Sequence, residues 1–155
     1  ERVTATWPVG EPCTSLALVE GELWVGLIQG GRILILSSQD GRRLGEVALP
    51  QKSYVLSIVA GPQGRAYVTT YGRTHIVDAP LRREVASTSL NTTLALSASL
   101  KEGSIYVTEY DAEAQQNYLV ALDMNYLAEK ARAPLPADIQ SVLASTPCPA
   151  TPTNS

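Results

Sequence analysis

Short apolar runs separated by turn residues recur along most of the chain. Two typical runs, Glu22–Leu27 and Arg32–Ser37, are rich in aliphatic residues and flank a turn at Gln29-Gly30-Gly31. Gln39-Asp40-Gly41 is a further turn signal, because Asp and Gly tolerate the positive φ of a tight hairpin. The pattern predicts short antiparallel strands. Residues 125–133 contain good helix formers, but their position in the chain favours a strand or an irregular edge.

One short sequence motif, which we call the repeated phrase, occurs three times. Its copies are Leu23-Trp24-Val25-Gly26, Ala66-Tyr67-Val68-Thr69 and Ile105-Tyr106-Val107-Thr108. The aromatic residues of successive copies are 43 and 39 residues apart. A recurrence of about 40 residues in a strand-rich chain is typical of β-propeller blades. The sequence therefore predicts an all-β fold: a propeller segment of about three four-stranded antiparallel blades. We place these blades at approximately residues 15–50, 54–91 and 94–134.

Both ends of the repeat region predict half-blades. Arg2–Val9 is expected to form the outermost strand of a preceding blade, and Gln140–Ser145 the innermost strand of a following one. The propeller region then spans residues 1–145, and residues 146–155, rich in Pro, Thr and Ser, are predicted to be disordered. Propellers close with about four to eight blades, so three cannot form a ring. We therefore expect a fragment of a longer chain, or a ring completed by another copy or another subunit.

The repeated phrase alternates its large residues between the two faces of a strand. Both faces of an inner blade strand pack against neighbouring blades, so we expect Trp24, Tyr67 and Tyr106 to be structural core residues. Asp78 and Asp123 each end a predicted strand. Aspartate at such a position caps the following turn with its side chain, and this too is a structural role.

A longer pattern extends around the second copy of the phrase. It comprises Ala66-Tyr67-Val68-Thr69-Thr70-Tyr71-Gly72, Ile76-Val77-Asp78 and Glu84-Val85-Ala86-Ser87-Thr88. The third repeat keeps Tyr106-Val107-Thr108 and Leu122-Asp123, whereas the first has Trp24, Gly26 and Ser37 in place of Tyr, Thr and Asp. Over about residues 3–145 these motifs resemble the YVTN-type β-propeller repeat family, which includes surface-layer and lactonase-like propellers. The resemblance implies the fold and matches no catalytic position.

Two tyrosines and two acidic loop residues are candidates for a binding surface on the rim of the blades. Tyr71 and Tyr110 each follow the repeated aromatic residue by four positions, and exposed tyrosines are frequent anchors of binding surfaces. Asp111 and Glu113 belong to an insertion at Asp111–Gln116. With Glu109 they could also hold a calcium ion, but they do not form a defined calcium loop, which favours a solvated acidic loop and no metal.

His75 is the only histidine, and it falls in a predicted third strand, away from the central channel of a propeller. A nucleophilic triad would need a hydroxyl or thiol and a carboxylate beside it, so a structural or surface role is expected.

Charge, cysteines and one glycosylation signal bear on partners and location. A net charge of −3 and a pI of about 5.1 argue against nucleic acid and anionic membranes as partners. No apolar run reaches the length of a membrane span. Cys13 and Cys148 either join the two ends of the repeat region as a disulfide or are free thiols. With the sequon at Asn91, these cysteines favour an extracytoplasmic or secreted protein.

The sequence favours a non-catalytic scaffold for protein binding or assembly. Its protein partner would be a second copy or another subunit that completes the ring. The resemblance leaves two alternatives open. One is part of a lactonase-like or lyase-like enzyme with a divalent metal in its channel, and the other is a surface-layer or appendage component.

Overall fold

The computed structural model describes residues 1–90 and 102–136, together with the backbone of residues 92–99. It contains three four-stranded antiparallel sheets, each built from consecutive strands. The predicted all-β fold of three four-stranded antiparallel blades is confirmed. The strands are β1 Cys13–Val19, β2 Glu22–Leu27, β3 Arg32–Ser37 and β4 Arg43–Ala48 in sheet 1; β5 Val55–Ala60, β6 Arg65–Thr70, β7 Arg73–Asp78 and β8 Arg83–Ser89 in sheet 2; and β9 Thr92–Ser99, β10 Ser104–Asp111, β11 Gln116–Asp123 and β12 Glu129–Pro134 in sheet 3.

The sheets pack face to face, and their first strands converge. Contacts between sheets are concentrated on β1 against β5 and on β5 against β9, as expected for the inner strands of blades arranged around an axis. The Oγ1 of Thr14 donates a hydrogen bond to the carbonyl of Val55 at 2.5 Å, which joins sheets 1 and 2 at the start of both inner strands. Neighbouring blades therefore have the same orientation.

Two buried clusters fill the spaces between the sheets. The cluster between sheets 1 and 2 includes Trp24, Ile35 and Val68, all at least nine-tenths buried. The sheets approach so closely here that a Cβ on Gly26 would lie 2.6 Å from Cγ1 of Val55. The cluster between sheets 2 and 3 includes Tyr67 and is otherwise made largely of aliphatic side chains. The repeated phrase thus contributes bulk to both interfaces.

Residues 2–9 do not form the predicted outer strand. Residues 1–12 have no strand pairing, because no described residue supplies the adjacent strand of a preceding blade. Instead Val9 packs on an apolar cluster on the outer face of sheet 1, and Trp7 lies against Gly41. The predicted inner strand at 140–145 and the predicted disordered tail at 146–155 lie outside the described residues.

The insertion in the third blade mainly extends the β10–β11 hairpin, and only a short turn lies outside the strand pairing. The β10–β11 ladder continues to the pair Asp111 and Gln116, and only residues 112–115 form the turn. Asp111 stabilises this turn, because its Oδ1 accepts hydrogen bonds from the backbone N–H groups of Glu113 and Ala114 at 2.9 and 3.0 Å. None of the described residues forms a helix long and apolar enough to cross a membrane.

Candidate functional site

The antiparallel strand order places alternate turns on opposite rims. We define the upper rim as the β2–β3, β6–β7 and β10–β11 turns with the residues that lead into β1, β5 and β9. All four rim residues expected from the sequence lie there. Tyr71 is in the β6–β7 turn, Tyr110 and Asp111 end β10, and Glu113 is in the β10–β11 turn.

A shallow groove of about 330 Å³ on the upper rim is lined by Lys52, Ser53, Tyr54 and Tyr71, and we call it the tyrosine groove. Tyr71 and Tyr54 are 65% and 52% exposed. The backbone N–H of Tyr71 donates to the carbonyl of Tyr54 at 3.3 Å, and the Ser53 hydroxyl donates to the carbonyl of Tyr71 at 3.2 Å. These bonds join the backbones of the two walls of the groove.

The other three predicted rim residues do not line the groove. Tyr110 is 36% exposed, Asp111 caps its own turn, and Glu113 is exposed. Sequence analysis did not identify Tyr54, because it precedes a first strand and lies outside the repeated phrase. The signal available was an aromatic residue in the linker between two blades.

The acidic cluster considered for calcium is not assembled. Glu109 instead lies 3.0 Å from the Nη2 of Arg132, whose guanidinium stacks over the Tyr118 ring at 5.2 Å from its centroid. Among the residues whose side chains the structure describes, no three acidic, histidine or cysteine side chains converge as metal ligands would.

The expected structural residues fall into two groups. Trp24 and Tyr67 are buried between sheets, whereas Tyr106 is only half-buried on the outer face of sheet 3, where it bonds to the carboxylate of Glu102. Asp78 and Asp123 cap turns: Oδ1 of Asp78 accepts from the N–H of Leu81 at 2.8 Å, and Oδ1 of Asp123 accepts from two N–H groups at the same distance.

The remaining sequence candidates concern modification. Cys13 is exposed at the start of β1. Cys148 and Asn91 lie outside the described residues, so the disulfide and the glycosylation site stay predictions.

A buried polar chain crosses three strands of sheet 2. His75 on β7 lies with Nδ1 2.5 Å from Oε2 of Glu84 on β8, and with Nε2 2.8 Å from Oγ1 of Thr70 on β6. A β-bulge makes this contact, because Val77 pairs with Glu84 while Ile76 pairs with Ala86. Strict alternation would have turned Glu84 to the opposite face. Spacing in the sequence therefore gave no signal of this chain.

The order hydroxyl, imidazole and carboxylate is that of a nucleophilic triad. Thr70 is fully buried, however, so a substrate has no access to its hydroxyl. Next to this chain is a cleft of about 260 Å³, lined by Pro50, Gln51, Arg73, His75, Glu84 and Ser87. These hydrogen bonds among Thr70, His75 and Glu84 connect β6, β7 and β8 and stabilise blade 2.

Burial lowers the pKa of His75 below its ordinary value of 6.5, against the opposing effect of Glu84. The unfolded chain therefore takes up a proton at a higher pH than the folded protein does. We expect the free energy of unfolding to fall as the pH drops below 6.5 towards the folded-state pKa, by at most about 1.4 kcal/mol per pH unit.

Urea unfolding at several pH values measures this pH dependence. His75→Gln should remove the contribution that His75 makes to it. As His75 is the only histidine, its imidazole NMR signals report the pKa directly. A folded-state pKa above 6.5 would contradict this expectation.

No protein-family model matches the sequence, and it matches none of the curated proteins. Solved structures do match its fold. The chain is similar to Kuenenia stuttgartiensis hydrazine synthase, with a TM-score of 0.66, 12% identity, and coverage of 78% of this chain and 36% of that one. It is also similar to Citrobacter koseri AztD, with a TM-score of 0.58, 16% identity, and coverage of 83% and 37%.

A third similar structure is the quinohemoprotein alcohol dehydrogenase of Comamonas testosteroni, with a TM-score of 0.61, 20% identity, and coverage of 80% and 21%. The chain therefore spans only about a fifth to two-fifths of the length of these proteins. The fold is that of a β-propeller.

Proposed function

We propose that this chain is a non-catalytic β-propeller scaffold for protein binding or assembly. Its ring is completed by further blades, from another chain or from the rest of a longer chain. The upper rim, with the tyrosine groove, is the surface for a protein partner. The observation that carries the proposal is the apolar character of the two outer blade faces.

The outer face of sheet 1 exposes large aliphatic side chains on its first strand, beside the buried apolar cluster on which Val9 packs. Leu16 and Leu18 on β1 are 64% and 59% exposed. They are on the face opposite to Ala17 and Val19, which pack towards sheet 2. The corresponding face of sheet 2 is the one that packs on sheet 1. The outer face of sheet 1 is therefore the face on which a preceding blade would pack.

The outer face of sheet 3 is the face on which a following blade would pack. Tyr106 occupies the place in the phrase that Trp24 and Tyr67 fill at the two buried interfaces. Leu119, opposite Thr108 on the same face, is 39% exposed. Exposed apolar patches of this kind mark interaction surfaces. The partner that fits them is the apolar face of another blade, as at the two buried interfaces.

Association of the chain tests the proposal. We expect native mass spectrometry and light scattering of the full chain to show concentration-dependent association, or a mass that includes another polypeptide. Leu16→Asp with Leu18→Asp should abolish association, because two buried carboxylates would lack partners. Leu81→Asp is the matched control, because Leu81 is 58% exposed but lies in the β7–β8 turn.

A compact monomer at every concentration, with no partner, would contradict the scaffold proposal. A bound divalent ion at the axis would support the enzyme alternative instead, and regular arrays of copies would support the surface-layer alternative.

We also propose an extracytoplasmic location. Exposed Cys13 and the sequon at Asn91 support it, because cysteine pairing and N-glycosylation both belong to exported proteins. A Cys13–Cys148 disulfide would appear as a mobility difference between reduced and unreduced chain, which Cys13→Ser should remove.

A further inference from the structure

We propose that the cleft of about 260 Å³ beside His75 binds a free α-amino acid. The carboxylate of this ligand contacts Arg73 and Ser87, and its ammonium group contacts Glu84. We call this site the blade cleft, and its lining residues are Pro50, Gln51, Arg73, His75, Glu84 and Ser87. The inference concerns blade 2 and the linker that precedes it, and it does not depend on completion of the ring.

The blade cleft lies where the linker from blade 1 meets the two outer strands of blade 2. His75 on β7 and Ser87 on β8 are a directly opposed pair, so both are on one face of sheet 2. This is the face of Val77, which packs in the cluster between sheets 1 and 2. Residues of the linker complete the lining, namely Pro50 and Gln51.

Glu84 supplies the negative charge of the blade cleft. Its side chain is 17% exposed, and its Oε2 accepts a hydrogen bond from Nδ1 of His75 at 2.5 Å. No residue in the part of the chain that the structure describes donates to its other oxygen, Oε1. A largely buried carboxylate oxygen without a donor is unfavourable, and an ammonium group is a donor that also matches its charge. Glu84 therefore favours a cationic group on the ligand.

Arg73 and Ser87 supply donors for an anionic group in the same cleft. Nη1 of Arg73 donates a hydrogen bond to Oγ of Ser87 at 3.1 Å. The Ser87 hydroxyl accepts this bond, so its own proton can be donated to a ligand. A guanidinium group binds carboxylates through parallel N–H groups, which makes a carboxylate the ligand group that fits here.

The two charges are spaced for one small molecule that carries both. Glu84 contacts His75 and Arg73 contacts Ser87, and the Cβ atoms of such a directly opposed pair are about 5 Å apart. An α-amino acid has its carboxylate and ammonium groups on one carbon and can bridge charges at this separation. The cleft volume also fits, because it is just below the range of about 300–1,000 Å³ that is usual for larger ligands.

The same two charges disfavour other small ligands. A simple anion would lie near Glu84 as well as Arg73, and a simple cation near Arg73 as well as Glu84, so each would meet a like charge. A metal ion is not favoured either, because the described side chains bring no three acidic, histidine or cysteine ligands together. A zwitterion satisfies both charges at once.

An NMR titration of the full chain at constant pH tests the proposal. The reporter is the imidazole of His75, the only histidine, which contacts Glu84. The probes are glycine, alanine, glutamine and lysine, each compared with its analogues that lack the α-amino or the α-carboxyl group. We expect saturable imidazole shifts with the amino acids. Each analogue should bind about ten-fold more weakly or worse, because it loses a charge-assisted hydrogen bond.

Two substitutions separate the contributions of the two charges. Arg73→Met should remove the advantage of an amino acid over the analogue without a carboxyl group, and Glu84→Gln its advantage over the analogue without an amino group. Arg83→Met is the matched control, because Arg83 is an exposed arginine on β8 that does not line the cleft. It should leave all affinities unchanged, and unaltered amide signals from the sheets show that each variant is folded.

Three results would overturn the proposal. One is the absence of a saturable shift with all four amino acids at about 50 mM, a concentration that detects even weak binding. Another is equal binding of the singly charged analogues. The third is binding that persists unchanged in both Arg73→Met and Glu84→Gln, because the ligand would then lie elsewhere. Oligomer mass, measured separately, decides the scaffold proposal whatever the titration shows.

Discussion

Tyr67→Ala is expected to lower the free energy of unfolding by about 3–5 kcal/mol, as for other large aromatic residues removed from a core. Tyr67 is 1% exposed and belongs to the cluster between sheets 2 and 3. Its hydroxyl donates a hydrogen bond to the carbonyl of Met124 at 2.9 Å, so the ring and the hydroxyl both join the two blades. Burial raises the pKa of Tyr67, which keeps this hydroxyl protonated as a donor.

Tyr67→Phe separates the two contributions. It keeps the ring and leaves the Met124 carbonyl without the hydroxyl, at a cost of about 1 kcal/mol. Urea unfolding of the three proteins under one set of conditions measures both differences. If Tyr67→Ala cost no more than Tyr67→Phe, the ring would contribute little to the interface between sheets 2 and 3.

The blade architecture could be predicted because its cause is local. Each strand shows its period in the sequence, and each turn has a residue such as Gly41 or Asp78 with a definite conformational role. The recurrence of Trp24, Tyr67 and Tyr106 then fixes how the strands group into sheets. Tyr106 is half-buried where Trp24 and Tyr67 are fully buried, because no described strand packs on the outer face of sheet 3.

The site could be predicted only in part, because its contacts depend on departures from the repeat. Tyr71 was identified from its place after the phrase, but its partner Tyr54 lies in a linker that the repeat does not specify. Glu84 reaches His75 only because Val85 forms a bulge, and single-sequence alternation cannot show a bulge. Residues 2–9 have a strand pattern but no strand beside them, and a pattern cannot show a missing partner.

Trp24→Ala is expected to cost about 3–5 kcal/mol and to weaken the interface between sheets 1 and 2. Trp24 is fully buried in the cluster that joins these sheets. Its Nε1 finds no hydrogen-bond partner in the part of the chain that the structure describes, in contrast to the Tyr67 hydroxyl. Trp24→Phe should therefore cost only the packing of the smaller ring, whereas Tyr67→Phe costs a hydrogen bond.

Trp7 provides the matched control, because the chain has two tryptophans and Trp7 is only half-buried, against Gly41 in the β3–β4 turn. Trp7→Ala should cost about 1 kcal/mol, close to the average for a single substitution. Denaturant unfolding followed by tryptophan fluorescence measures both variants, each with one tryptophan left as the probe. Equal losses would mean that the arm at residues 7–9 stabilises sheet 1 as strongly as blade packing does. A larger loss for Trp24→Ala alone would locate the stability of this chain in the contacts between blades.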